Sequence, residues 1–110
     1  MRQILFMPTE QYHEPPGELS QEVRTFARMI QSLIEEAEAI NWYEQRISVE
    51  KDKDAKAIMQ NAQKEEFKHF SMDLEFLLRK KDDWSIMIKN VVGKPGDIVK
   101  NGEKGEDKID

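Results

Sequence analysis

The sequence predicts an all-α chain: an antiparallel two-helix hairpin plus a short C-terminal helix, two copies of which complete a four-helix bundle. Three observations carry that expectation. Residues 18 to 47 contain neither proline nor glycine, and their apolar residues recur close to a 3.6-residue period. A short charged break follows, and then a second stretch with helical periodicity. Finally, two arms alone cannot enclose a bundle core, whereas two hairpins can.

Taken in order, residues 1–17 form an irregular segment, because Pro8, Pro15, Pro16 and Gly17 forbid a continuous helix. Ser20 is placed to cap the first helix, with Glu22 and Val23 in its first turn. Val23, Phe26, Ile30, Leu33, Ala37, Ile40 and Ile47 supply its apolar rhythm. The run Ser48 to Asp54 breaks this pattern and reads as a charged turn, in which Asp52 or Asp54 caps the next helix. That helix extends from about 54 to about 80, with Ile58, Met59, Ala62, Phe67, Phe70, Leu74, Leu77 and Leu78 as its apolar positions. Each arm is roughly 40 Å long at about 1.5 Å per residue. A shorter helix spans Trp84 to Val92 and is closed by Gly93. The helical domain is therefore 18–92. Residues 93–110 are Gly, Lys, Glu and Asp with few apolar side chains, which reads as a flexible linker or tail.

Composition narrows the function. Charged residues make up 35% of the 110 and the hydrophobic set 38%, with a mean hydropathy of -0.77. So little apolar material leaves a lone subunit marginal, and burial shared between subunits is the remedy. A net charge of -5 without a basic stripe argues against nucleic acid as partner. There is no cysteine, which excludes disulfides, thiolate metal sites and cysteine nucleophiles. The first residues are too short an apolar run for a signal peptide or membrane span. These features predict a soluble, cytoplasmic protein without a membrane partner.

Chemistry concentrates on two helical rows. Met29, Leu33, Glu36, Ile40 and Tyr43 follow the spacing of one helix face. A carboxylate in such a row needs a partner or a cation, since burying it alone is costly. If the apolar face is slightly rotated, Glu36 lies at its edge instead. On the second helix, Met59, Ala62, Glu66 and His69 form a row in which Glu66 and His69 are one turn apart. A carboxylate and an imidazole so placed suit iron, manganese or zinc. Taken alone, Glu-x-x-His is a common accident, and Glu65 competes with Glu66 for the role. The combination is more specific, because di-iron bundles take one Glu from each of two helices and Glu-x-x-His from each of two others. This chain carries half of that set, and a two-fold axis supplies the rest.

The string Glu35-Glu36-Ala37-Glu38-Ala39-Ile40-Asn41-Trp42-Tyr43-Glu44-Gln45-Arg46, with Glu65-Glu66-Phe67-Lys68-His69 after it, resembles the encapsulated ferritins. These are ferritin-like proteins housed in encapsulin nanocompartments, and the likeness covers roughly residues 20 to 92. The Lys/Glu-rich character is similar to the archaeal branch. The resemblance implies a ferroxidase that oxidises Fe(II) to Fe(III) at a di-iron site across a homodimer, with dimers joined in a decameric ring. It implies Glu36, Glu66 and His69 as iron ligands and Tyr43 as the aromatic residue beside the metals. Glu35, Glu38 and Trp42 match secondary sites that pass iron inward. Calcium, zinc and manganese are alternative occupants of the same or secondary sites. The implied partner is an encapsulin shell protein, whose lumen receives the iron for mineralisation. The tail departs from the family pattern: Ile98, Val99 and Ile109 make a thin docking peptide, so residues 94–110 read as a linker or a truncated fusion to the shell. The rival readings are a non-catalytic hairpin that dimerises as an adaptor, and a structural zinc or manganese site.

Overall fold

The computed structural model describes residues 12–109. The part of the N-terminal segment before residue 12 lies outside the described residues. All regular structure among the described residues is helical. A single 3-10 turn, Pro16–Glu18, precedes helices α1 (Gln21–Val49), α2 (Lys53–Leu78), α3 (Asp82–Val91) and α4 (Ile98–Asp107). The described residues fall into two compact units that divide between Asp73 and Leu74.

The first unit is the hairpin. Helix α1 begins where Ser20 Oγ accepts a hydrogen bond from the Val23 amide at 3.1 Å, meeting one of the donors that a helix start leaves free. Upstream, the Arg24 guanidinium donates to the Pro16 carbonyl, which holds the 3-10 turn against the helix start. The charged turn is narrower than the composition of residues 48–54 suggests. Helix α1 persists through Val49, and α2 starts at Lys53. Asp52 is the cap, its carboxylate accepting from the Ala55 amide at 2.9 Å. Glu50 accepts from the Asp52 amide at 3.0 Å, tightening the connection.

The arms run antiparallel. Gln63 of α2 donates to the Ile40 carbonyl at 3.2 Å and to Glu44 Oε1 at 2.9 Å, while further along α2 the side chains of Glu66 and His69 meet Glu36. No side chain of α1 is buried. Val23, Ile58 and Phe67, all part of the apolar pattern, are 49%, 70% and 48% exposed. Within this unit one arm lies beside the other, so only part of an apolar stripe can be covered.

The second unit contains the end of α2, where Leu77 and Leu78 are buried, together with α3 and α4. Helix α4 is a correction to the flexible tail that composition suggests for residues 93–110. Gly93 and Gly96 adopt φ of 77° and 96°, a region L side chains rarely enter, and turn the chain back. Asp97 then caps α4 by accepting from the Lys100 amide at 2.8 Å. Gly105 lets α4 approach α3: a Cβ there would stand 2.9 Å from Met87 Sδ and 3.1 Å from Asn90 Cβ. Lys108 Nζ donates to Asn90 Oδ1 at 2.9 Å, closing the pair. Helix α4 is held by caps, a close approach and a polar tie, none of which appears in the count of apolar residues.

Candidate metal centre

Helix α1 carries Glu36 near its middle, and α2 presents Glu66 and His69 one turn apart on the side that meets it. Each of the three offers a ligand atom, and these atoms lie within 4.8 Å of one another. All three residues are half-buried. First-row metal bonds of about 2.0–2.2 Å leave ligand atoms up to about 4.4 Å apart, so a small contraction brings the trio around one ion. Glu66 Oε1 and His69 Nδ1 are 3.0 Å apart. That contact needs a proton between them, since a carboxylate oxygen and a bare ring nitrogen both only accept.

Glu36 is the strained member. Desolvation first, then the adjoining Asp73 carboxyl and the negative field of Glu66, raise its pKa from 4.5 to about 7, with His69 acting in the opposite direction. Glu36 Oε1 and Asp73 Oδ2 are both cut off from solvent, and the two carboxyls share a hydrogen bond when Glu36 carries its proton. With that proton released, a half-buried carboxylate beside a second carboxylate and an imidazole is a donor set that a cation satisfies. The residues fit a divalent first-row metal.

The remaining residues singled out from sequence sit elsewhere. Tyr43 lies seven residues beyond Glu36 on the same helix face, about 10 Å along the axis. It is half-buried, and the Arg46 guanidinium stands 5.5 Å above its ring. Trp42 is 51% exposed and lines an open hollow with Gln45 and Arg46. Glu35 and Glu38 are exposed, and Glu35 accepts from Gln31 at 3.3 Å. Glu65 is exposed and pairs with Lys68 at 3.1 Å, so Glu66 is the carboxylate that joins Glu36 and His69. Asp73 escaped the sequence reading. Its signal was present, because the row Glu66, His69 continues to position 73 one further turn along.

A family model described as EncFtn-like matches residues 11–94. The chain is 43% identical over 80 residues to a ferritin-like protein of Thermotoga maritima, spanning 73% of this chain and 70% of that protein. It is 35% identical over 87 residues to an encapsulated ferritin-like protein of Rhodospirillum rubrum, spanning 79% of this chain and 62% of that protein. The crystal structure of protein ne0167 from Nitrosomonas europaea superposes with a TM-score of 0.77 at 38% identity, covering 81% of this chain and 98% of that one.

Proposed function

The chain belongs to the EncFtn-like family, and from that premise we propose that it is a ferroxidase that binds Fe(II) as substrate and releases Fe(III). The observation that carries this reading is the convergence of Glu36, Glu66 and His69 within 4.8 Å on facing helices of one hairpin. The ferritin-like naming of its relatives supports iron as the metal.

A homodimer completes the site. One hairpin supplies two carboxylates and one imidazole; a two-fold mate doubles them to the four carboxylates and two histidines of a di-iron bundle. Four carboxylates offset the charge of two divalent ions. The uncovered apolar positions Val23, Ile58 and Phe67 support a second helical pair against these arms. The iron pair supplies the electrons, one from each Fe(II), and dioxygen accepts them. The protein's part is placement and electrostatics. Glu36 and Glu66 hold the cations by charge, and His69 adds a neutral donor that favours transition metals over calcium. The half-burial of all three excludes part of the surrounding water, which strengthens each charge interaction.

The exposed acidic pair Glu35 and Glu38, with Trp42, serves as a secondary site on the outer side of α1 that gathers iron. Tyr43, on the Glu36 face, is the aromatic residue set beside the metals. The naming of the Rhodospirillum rubrum relative as encapsulated supports a location inside an encapsulin compartment, with dimers assembled into a ring and the ferric product mineralised in the lumen. No helix among the described residues is long and apolar enough to cross a membrane.

Anaerobic addition of Fe(II) to the full chain, followed by oxygen, tests the proposal. Ferric absorbance and oxygen uptake are expected, and Glu36→Ala and His69→Ala are expected to abolish both. A protein that binds zinc or manganese tightly but consumes no oxygen with iron is a structural metal site. One that binds no metal and is unaffected by either substitution is an adaptor hairpin.

A further inference from the structure

Gln63 stands on α2 one turn before Glu66, and its side chain reaches α1 one turn beyond Glu36. Its amide Nε2 donates to the Ile40 carbonyl at 3.2 Å, in a half-buried position, and to Glu44 Oε1 at 2.9 Å. Two acceptors match the two N–H groups of a primary amide, and the amide turned over would set its oxygen against both. Among the described residues no other side chain of α2 donates a hydrogen bond to α1. Apolar contact is non-directional, and no side chain of α1 is buried, so packing alone sets the register of the arms weakly. A slip of one residue moves a helical side chain about 1.5 Å along the axis and turns it about 100°, which carries Glu36 away from Glu66 and His69. Ionised, Glu36 and Glu66 repel each other, so a group outside the trio must hold them together before an ion arrives. The Ile40 carbonyl belongs to the main chain, and a bond to it holds the helix itself.

We infer that Gln63 is a positioning residue of the metal centre: by tying α2 to the Ile40 carbonyl and the Glu44 carboxylate, it holds Glu66 and His69 opposite Glu36. The inference rests on the metal-binding reading above. Gln63 touches no ion. It acts through the register of the two arms, one turn from the ligands on each helix.

The test is an anaerobic Co(II) titration of the metal-stripped full chain, followed by calorimetry and by the visible d–d band of the bound ion. Gln63→Met and Gln63→Leu keep an unbranched or branched side chain of similar bulk and remove the donor, so a folding failure in one, seen by circular dichroism, leaves the other. Both are expected to weaken Co(II) binding by about fivefold or more. At saturating Co(II) both are also expected to shift the band, although every ligand is still present. Gln63→Lys, whose ammonium can donate to the same two acceptors, is expected to return the band toward its parent position. A Gln63 that only stabilises the hairpin would weaken binding yet leave the band at saturation where it was, and that result overturns the positioning role. Binding within about twofold of the parent, with an unchanged band, overturns it as well. If Glu36→Ala still abolishes binding in either case, the three-residue site stands without Gln63. Co(II) binding that is the same in parent, Gln63→Met and Glu36→Ala overturns both readings.

Discussion

Replacing Glu36 by glutamine keeps the side chain's shape and removes the charge, which makes it a direct probe of the strain in the centre. In the folded chain the Glu36 pKa is raised from 4.5 to about 7. The folded state therefore holds this proton between those two values while the unfolded chain has released it. Stability contributed by the protonated form is fully present below the unfolded value, falls as pH rises from 4.5 to about 7, and is gone above it. At about 1.36 kcal/mol per unit, the shift corresponds to at most about 3 kcal/mol. Half-burial and solvent screening reduce this to about 1–2 kcal/mol. Thermal melts of metal-free protein, with a chelator and at fixed protein concentration, are the assay. At about pH 8 the variant is expected to exceed the parent by about 1–2 kcal/mol, or several degrees in Tm, and at about pH 5 the two should nearly coincide. With Zn(II) or Co(II) present the order should reverse, because the parent alone keeps all its ligands. A parent-to-variant difference that is the same at both pH values would show that Glu36 is not held against its charge, and the electrostatic argument for a cation there would fail.

Two further substitutions address the scaffold. Ser20→Ala removes the acceptor for the Val23 amide and is expected to cost about 1 kcal/mol, read from urea unfolding at unchanged slope. Gly102 and Gly105 both lie within α4, but an added Cβ meets nothing within 4 Å at Gly102, whereas at Gly105 it stands 2.9 Å from Met87 Sδ. Gly102→Ala should therefore stabilise by up to about 1 kcal/mol through helix propensity. Gly105→Ala should lose that gain and a further 1 kcal/mol or so to overpacking against α3. Amide hydrogen exchange in α4 separates them, with slower exchange in the first variant and faster in the second.

The sequence by itself determined the long helices, their caps and the kind of chemistry they carry. Ser20 and Asp52 announce helix starts because their side chains answer amides three residues on, a local interaction that composition and spacing expose. The Glu36 row and the Glu66–His69 row were legible for the same reason, since positions on one helix face follow from 3.6 residues per turn. Whether Glu36 faces α2 or lies at the edge of its stripe depends on how the two arms rotate against each other, and periodicity cannot set that angle. The same cross-helix register brings Asp73 to Glu36 and seats Gln63 against Ile40 and Glu44. Helix α4 illustrates the second limit. Its ten residues, Ile98–Asp107, carry too little apolar surface to signal a helix, and what orders them is an approach to α3 that only a missing Cβ at Gly105 permits. Local hydrogen bonding and helix period act within a few residues and can be read along the chain. Contacts between distant residues depend on packing angles, and only the tertiary structure decided those.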